Sequence, residues 1–379
     1  MLACAGAAQA RFDDTLAAAR RAVAFPRTAE GMQARYDAGR NLEEAVYSLR
    51  RGQLECRLRA SLDLAHGLIR QAEGYDQDLA RLKGTGRGQV TLGLRRLGRC
   101  PSSGPLVRLR RRPTALVRLP ALEKAAPERA PSASAQLARL GRAFPGWAAI
   151  WMHDLVTGRT AGWNSDAQFP AASTVKLGVL LAALRSGPAL GSPLDYDLRA
   201  MTAWSSNLAA NRLLARVGGP SAVEDALRRV GATRSTYPQG FRVGTAVHEL
   251  DVVKQPPRVS GRVTTAHDLG RILYALHAGG LGNVPALRRS GLDRSRSAYA
   301  LSLLLASQPN GNNVGLLRPW LRAGTPIAQK NGWLHDARHT AAIVYLPRQP
   351  LIVVVLTYAR GLRLATARRL GMRVLLAAP

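Results

Sequence analysis

Lysine is scarce in this chain of 379 residues, and acids are far fewer than bases. The chain has 54 lysine and arginine residues against 24 acids, and only five of the bases are lysine: Lys83, Lys124, Lys176, Lys254 and Lys330. Arginine stays charged in proteins, whereas a buried lysine can lose its proton and act as a base. The positions that keep lysine are therefore the first candidates for chemistry.

Cysteines and long apolar runs are also few. The three cysteines, Cys4, Cys56 and Cys100, show no C-x-x-C spacing, which argues against a metal site. A disulfide between Cys56 and Cys100 stays open as an alternative. No apolar run approaches the ~20 residues that span a bilayer, so we expect no transmembrane segment. The N-terminal residues lack the basic start of a signal peptide, although they could be the remnant of one.

The formal charge of +30 admits two interpretations. A basic surface can bind nucleic acid or anionic lipid. Alternatively, arginine fills surface positions because the genome is GC-rich, and the charge has no partner. The arginines are spread along the whole chain without a nucleic-acid motif, so we favour the second interpretation and expect no nucleic-acid partner.

Three stretches differ in composition. Residues 1–84 carry apolar side chains at helical spacing and predict a helical N-terminal extension, with Pro26 separating two helices. Residues 85–132 are rich in proline and arginine and predict a basic, poorly ordered linker. Such a run is usually solvated, and a weaker hypothesis makes it a tether for an anion or a nucleic acid. Residues 133–379 predict a folded domain.

The pattern from residue 133 onward predicts an α+β fold. Two strands, a helical block, three strands and a closing helix fit an antiparallel sheet flanked by helices, an α/β sandwich with the helical block between the strands. The predicted strands are residues 148–154, 159–163, 327–331, 339–346 and 350–357. The predicted helices are residues 137–144, 173–184, 208–217, 221–230, 266–277 and 362–377.

Two of the lysines belong to short motifs that recur in a fixed order. Ser173-Thr174-Val175-Lys176 has the form S-x-x-K, Ser205-Ser206-Asn207 the form S-x-N, and Lys330-Asn331-Gly332 the form K-x-G. A lone S-x-x-K is a weak signal, but the three motifs in this order are typical of a site where a serine is acylated.

Ser173 is the predicted nucleophile and Lys176 its base. Pro170 keeps the preceding chain extended, so Ser173 is expected at a helix start, where free N–H groups favour a developing negative charge. Lys176 lies one turn further on, and the apolar run after it predicts a buried amine able to accept a proton. The alternative, a helix-capping Ser173 with a surface Lys176, conflicts with that apolar run.

The S-x-N motif supplies two candidate partners. Ser205 could relay a proton to the leaving group, and the amide of Asn207 could hold an amide of the substrate. Taken alone, Ser206 or Asn207 would be an ordinary helix cap.

The K-x-G motif is expected at the end of a strand, where backbone groups can pair with an extended substrate. Lys330 can meet the carboxylate of that substrate, with Asn331 beside it, and Gly332 lets the substrate approach closely. The N–H of Trp333 could join that of Ser173 as an oxyanion hole. In isolation, a turn with an exposed lysine is an equally good interpretation.

From about residue 133 to the last residue, the chain resembles the serine β-lactamase and penicillin-binding superfamily, most closely the class A β-lactamase-like enzymes. The three motifs carry the resemblance together with Asn211, Thr264-Thr265-Ala266 and Arg322-Ala323-Gly324-Thr325-Pro326. The resemblance implies a secreted or periplasmic serine hydrolase without cofactor or metal. It also implies an acyl-enzyme at Ser173, β-lactam or D-alanyl peptide substrates, and a role in antibiotic resistance.

Departures from the family pattern leave other activities open. Ser206 replaces the aspartate of the usual S-D-N, and Asn331 replaces the threonine of the usual K-T-G. For the glutamate that deacylates class A enzymes, Glu249 is the sole candidate, and Gln239 is an alternative occupant of its place. Without that base an acyl-enzyme hydrolyses slowly. The alternatives are therefore a penicillin-binding D,D-peptidase-like enzyme or a non-hydrolytic protein that recognises cell-wall peptides. The oligomeric state stays open.

Overall fold

The structure is a computed structural model that describes residues 2–49, 52–111, 133–187, 191–241, 243, 261–307, 311–347 and 349–378. The chain divides into two compact units. The first comprises Met1–Pro113, Ser206–Leu208 and Phe241–Ala246, and the second Thr114–Ser205, Ala209–Gly240 and Val247–Pro379. The second part of the predicted linker, residues 112–132, lies outside the described residues.

The first unit is built from four long helices and one short pair of strands. The helices are α1 (Leu2–Ala22), α2 (Ala29–Ser48), α3 (Glu55–Asp76) and α4 (Ala80–Gly98), and the strands are β1 (Gln53–Leu54) and β2 (Leu106–Val107). Helix α2 begins where the side chain of Thr28 accepts a hydrogen bond from the N–H of Gly31, at 3.1 Å. The strands pair antiparallel. A disulfide joins Cys56 and Cys100, the pairing that the sequence left open.

Glycines allow α3 and α4 to approach closely. A Cβ on Gly67 would lie 2.6 Å from the backbone N of Val90, and one on Gly86 would lie 2.7 Å from the backbone N of Gln71. Helix α4 therefore occupies residues 85–98, where the sequence predicted a linker. Glycine lowers helix propensity by about 1 kcal/mol relative to alanine, and packing against α3 overrides that preference.

The first unit has its own apolar core and a buried ion-pair cluster. Helices α1 to α4 all contribute to that core: Phe12, Leu16, Leu42, Val46, Leu58, Leu64, Leu68 and Val90. Arg40 is fully buried and is paired with Glu43 and with Glu44 at 3.8 Å. Two carboxylates thus neutralise a guanidinium that would be costly to bury alone.

The second unit contains one principal sheet surrounded by helices. Its helices are α5 (Ala133–Arg142), α6 (Lys176–Arg185), α7 (Asp195–Ala203), α8 (Asn207–Arg216, which begins in the first unit), α9 (Pro220–Arg229), α10 (Ala266–Gly280), α11 (Val284–Ser290), α12 (Arg294–Leu305) and α13 (Leu364–Leu376). Its strands are β3 (Trp147–Asp154), β4 (Thr160–Trp163), β5 (Phe169–Pro170), β6 (Val263–Thr264), β7 (Ile327–Trp333), β8 (Ala337–Val344) and β9 (Leu351–Tyr358).

The principal sheet has five antiparallel strands in the order β4-β3-β9-β8-β7. Strand β9 is central and buried along its whole length. Ile150 on β3 is opposite Val355 on β9, which is in turn opposite Thr340 on β8. Strand β7, which carries the K-x-G motif, ends the order, so the sheet places that motif at an edge.

Each face of this sheet is covered by helices. On one face, α5 and α13 pack on strand residues through Leu137, Leu370 and Val374. On the other face, Gly270 of α10 lies against Trp151, where a Cβ would come within 2.2 Å of the indole ring. An antiparallel sheet with helices on both faces is the α+β sandwich predicted from the sequence, and this prediction is confirmed.

Several elements differ from the sequence predictions. Helices α7, α11 and α12 lie where no helix was predicted. Helix α6 begins at Lys176, so Ser173 lies in a turn before the helix and not in its first residues. Within the described part of the chain, no helix combines the length and apolarity that a membrane crossing requires.

Candidate active site

The chain leading to Ser173 is fixed by backbone pairing. Strand β5 pairs antiparallel with β6, with Phe169 opposite Thr264 and Pro170 opposite Val263. The N–H of Ala171 then donates to the carbonyl of Arg262 at 2.9 Å. As predicted from Pro170, the residues before the motif are extended. This pairing fixes the position of the backbone just before Ser173.

A buried histidine on β8 also holds this segment. The Nε2 of His339 lies 2.8 Å from the carbonyl oxygen of Pro170, and the N–H of Thr357 donates to Nδ1 at 3.2 Å. Because Nδ1 accepts, Nε2 carries the proton and the ring is neutral. Burial lowers the pKa of His339 to about 4, which keeps it neutral. His339 is a positioning residue that the sequence analysis missed, since a histidine on a strand gives no motif.

Ser173 lies in a tight turn with an unusual backbone. Ala172 has φ 48°, a left-handed conformation that is uncommon for residues other than glycine. The N–H of Thr174 donates to Ala171 O at 3.1 Å, and the N–H of Lys176 donates to Ser173 O at 3.3 Å. The flanking residues Thr174 and Lys176 are buried, while Ser173 is partly exposed. The turn therefore presents the serine to solvent.

Lys176, Ser205 and Lys330 meet in one buried cluster. The ammonium of Lys176 donates to the backbone carbonyl of Ser205 at 2.6 Å and lies 3.4 Å from its Oγ. The ammonium of Lys330 donates to the same Oγ at 2.8 Å. Both lysines are 1% exposed. One hydroxyl thus bridges two lysines that are separated by more than 150 residues in sequence.

The backbone of Ser205 and the side chain of Ser173 each show a feature that bears on this cluster. Ser205 has φ 66°, so it also adopts a left-handed backbone, which persists only where the surroundings enforce it. Within the described residues, Ser173 Oγ has no hydrogen bond, and Lys176 is held by Ser205. Catalytic hydrogen bonds are often long before substrate binds, so this geometry leaves the predicted pairing of Ser173 with Lys176 a prediction.

Among the described residues, Lys330 contacts only neutral hydrogen-bond partners. Besides Ser205 Oγ, its ammonium donates to the carbonyl of Asn331 at 3.0 Å. Burial lowers the pKa of Lys330 to about 7, because no carboxylate compensates for the lost hydration of the cation. Near neutral pH this amine therefore exchanges readily between its charged and neutral forms.

Gly332 lies directly against the nucleophile turn. A Cβ at position 332 would come within 3.0 Å of the backbone N atoms of both Ser173 and Thr174. Only glycine leaves this space open without displacing backbone. The next residue, Trp333, is partly exposed at the end of β7. The close approach brings the last residues of β7 to the same point as the N–H of Ser173.

Asn331 has its amide fully engaged within the protein. Its Nδ2 donates to the carbonyl of Asn313 at 2.7 Å, and its Oδ1 accepts from the hydroxyl of Thr340 at 2.8 Å. The side chain is 1% exposed. These two hydrogen bonds hold Asn331 to Asn313 and Thr340. Its amide can contact a substrate only if they break.

Asn207 is grouped with the first unit, and Ser206 beside it is fully buried. Within that unit, the backbone N–H of Asn207 donates to a carboxylate oxygen of Asp76 at 3.0 Å, and its side-chain amide donates to the other at 3.2 Å. The amide that the sequence predicted to hold substrate is therefore engaged by a carboxylate here.

Glu249 and Gln239 are the two candidates for the deacylating position. Glu249 lies outside the described residues. Gln239 is described and its side chain is exposed. A glutamine amide cannot accept a proton as a carboxylate does. In the described residues, no group of acids, histidines and cysteines has a metal-binding arrangement.

The fold and the site together define a class: an α+β enzyme fold in which a serine turn, a buried helix lysine and an edge-strand lysine converge. The chain belongs to the beta-lactamase enzyme family, whose sequence profile matches residues 132–189 and 192–374. The match covers most of the second unit, in agreement with the resemblance found from the motifs. No curated protein matches the chain.

Solved structures share the fold at low sequence identity. PBP-A is 18% identical with TM-score 0.52, and the match covers 67% of this chain and 98% of that one. A beta-lactamase from Desulfarculus baarsii is 20% identical with TM-score 0.52, covering 65% and 98%. A beta lactamase from Xanthomonas campestris pv. campestris is 19% identical with TM-score 0.50, covering 65% and 95%. These similarities establish the fold, and the family match adds that the family is of the serine β-lactamase or penicillin-binding type.

Proposed function

We propose that this protein is a serine hydrolase of the class A β-lactamase type, which acylates Ser173 and opens the cyclic amide of β-lactams. The observation that carries the proposal is the Ser205 hydroxyl held between the amines of Lys176 and Lys330. A buried hydroxyl beside two buried amines can pass protons to and from them. The partly exposed Ser173 in the turn before Lys176 supplies the nucleophile.

The first chemical step is acylation of Ser173. Lys176 in its neutral form has one lone pair and two N–H groups, so it can donate to the carbonyl of Ser205 and still accept the hydroxyl proton of Ser173. The serine oxygen then attacks the lactam carbonyl. The N–H groups of Ser173 and Trp333 receive the negative charge that develops on the carbonyl oxygen.

The second step is cleavage of the amide bond. The proton taken by Lys176 passes across the 3.4 Å contact to the hydroxyl of Ser205, which in turn gives its own proton to the leaving nitrogen. Lys330 in its charged form attracts the substrate carboxylate, because a cation in a dry site interacts strongly with an anion. Asn207 contributes to substrate binding once its amide turns to the substrate.

One observation favours slow deacylation, the behaviour of a penicillin-binding, D,D-peptidase-like protein. Gln239, an alternative occupant of the deacylating position, offers an amide in place of a carboxylate. If it holds that place, the acyl-enzyme forms and persists. Both activities need the same acylating site, so they differ only in how long the adduct survives.

Intact-mass spectrometry of the full chain with benzylpenicillin, followed over time, tests the proposal. We expect a single adduct that Ser173→Ala abolishes, with Thr174→Ser as a control that keeps the neighbouring position polar. An adduct that clears with release of the opened product supports a β-lactamase, whereas one that persists supports the penicillin-binding alternative. An adduct of equal yield in Ser173→Ala would overturn the assignment of the nucleophile.

A further inference from the structure

A cavity lies in the first unit, at the junction of helices α2, α3 and α4. It has a volume of about 100 Å³, roughly that of three water molecules. Four of its lining residues are cationic, namely Arg27, Arg35, Lys83 and Arg87, and none of the lining residues is acidic. Neutral donors complete the wall, among them Gln71.

Arg35 is the innermost cation of this cavity. It is 7% exposed, and its guanidinium is anchored by bonds to the carbonyl of Val23 at 2.9 Å and to the side chain of Gln71. Its Nε is buried and makes no hydrogen bond with any described residue. Burying a donor without an acceptor is unfavourable.

The charge around Arg35 is not balanced by protein acids. Lys83 pairs with Asp78 at 2.8 Å, but Arg27 and Arg87 have no acidic partner among the described residues. Burial, and next the neighbouring Arg27, lower the pKa of Arg35. Like charges gathered around a cavity repel each other and attract an anion. Elsewhere in the same unit the buried Arg40 is paired with two glutamates, which shows how a merely structural arginine is accommodated.

We propose that this cavity binds a phosphate group. Three uncompensated guanidinium groups match a dianion better than a carboxylate, and arginine forks bind phosphate oxygens in pairs. Arg35 provides a buried guanidinium at the inner end of the cavity, while the exposed Arg27 and Arg87 contact the group from the solvent side. The volume admits one phosphate, either free or as the end of a small phosphate monoester. The proposal rests on the first unit alone and is independent of the chemistry at Ser173.

The test is isothermal titration of the full chain with inorganic phosphate, at an ionic strength held constant with sodium chloride. We expect saturable binding that weakens at least tenfold in Arg87→Gln. The matched control is Arg95→Gln, which removes the same charge from an exposed position on the same helix outside the cavity. Arg35→Lys keeps a charge but removes Nε, and we expect it to weaken binding as well.

The variants separate specific phosphate binding from a response to net charge. Equal weakening by Arg87→Gln and Arg95→Gln would mean that phosphate responds only to the net charge of the chain, and the proposal would fail. Absence of saturable binding would also overturn it. A parallel titration with glycerol 3-phosphate separates the sources: equal affinity with the same dependence on Arg87 indicates a phosphate monoester, and loss of affinity indicates free phosphate. Penicillin labelling of Ser173 should be unchanged in Arg87→Gln, so failure here is distinct from failure at the serine site.

Discussion

The two units bury cations in opposite ways. In the first, Arg40 is fully buried between Glu43 and Glu44. In the second, Lys330 is equally buried, but its partners among the described residues are a hydroxyl and a carbonyl. The arginine is compensated by carboxylates and keeps its charge. The lysine is not, and burial lowers its pKa to about 7. A cation that holds a fold together is paired, whereas one that is free to exchange a proton is left among neutral groups.

This contrast explains the residue choice. Only five of the 54 basic residues are lysine, and two of them, Lys176 and Lys330, lie in the lysine–serine cluster of the second unit. Arginine could not replace them there, because its pKa stays above the range in which proteins titrate it. If this interpretation is right, exchanging lysine for arginine should matter in one unit and not in the other.

The largest effect should come from Lys176→Arg. Arginine cannot accept the proton of Ser173, so we expect the rate of acylation by benzylpenicillin to fall by about 10³-fold or more. The matched control is Lys83→Arg in the first unit, where the side chain is part-exposed and pairs with Asp78; it should acylate normally. Rates come from intact-mass time courses. Full activity of Lys176→Arg would show that position 176 needs only a positive charge. The contrast between the buried cations of the two units would then fail.

The second effect concerns stability of the first unit. The Cys56–Cys100 disulfide closes a loop across a sequence separation of 44 residues, which stabilises by about 4 kcal/mol in the chain-entropy account. The double variant Cys56→Ser/Cys100→Ser should therefore lose helix at lower urea concentration. All six tryptophans lie in the second unit, so their fluorescence should not change at that urea concentration, and acylation should persist.

Far-UV circular dichroism and tryptophan fluorescence, recorded on the same samples, check this result. Dithiothreitol should reproduce the effect in the unmodified chain and leave the double variant unchanged. A shift of both signals together would show that the two units unfold as one, and the comparison between separate units would then lose its basis.

Much of the second unit was predictable because its sequence is locally consistent. Strands β3, β8 and β9 are apolar runs bounded by turns, and the strand order places both ends of the unit in one sheet. Helix α4 was not predictable, since its glycines oppose helix formation and only contact with α3 explains them. Helix α12 was not predictable either, because apolar residues occur all round it and give no helical periodicity.

The sequence predicts the members of the candidate site, but it does not indicate their contacts. The motif order singled out Ser173, Lys176, Ser205 and Lys330. Nothing in the sequence indicates that Ser205 Oγ lies between the two amines, or that His339 holds the carbonyl of Pro170. These contacts depend on tertiary packing over long sequence separations. The same holds for Asn331, whose partners Asn313 and Thr340 occupy its amide.

The third prediction extends the contrast to histidine. Burial lowers the pKa of both His277 and His339 to about 4, against about 6.5 in the unfolded chain. The unfolded state then binds more protons below pH 6.5, so stability is present above that pH and is lost as pH falls towards 4. Each residue accounts for about 3 kcal/mol. Urea unfolding followed by tryptophan fluorescence should show the second unit weakening over this range.

The variant His277→Gln isolates one of these contributions. It removes a titrating ring that lies 3.4 Å from the hydroxyl of Tyr345, while an amide of similar reach remains. The acid dependence of the second unit should then drop by about half, although its stability at neutral pH also falls. The same acid dependence in the variant and the parent would show that other groups govern the acid response.

The smallest effect, and the most direct probe of Lys330, is the pH dependence of acylation. The pKa of about 7 means that Lys330 is charged below pH 7 and neutral above it. If the charged form attracts the substrate carboxylate, the acylation efficiency kcat/KM should fall about tenfold between about pH 6 and 8, since kcat/KM reports the groups of the free enzyme. Lys330→Arg keeps the charge at every pH, so its efficiency should be flat over that range even if it is lower throughout. A β-lactam ester without the carboxylate gives the complementary control, because its acylation should not follow this titration. If the decline with pH persists in Lys330→Arg, the group that titrates is another one, and the buried lysine differs from the buried arginine in structure alone.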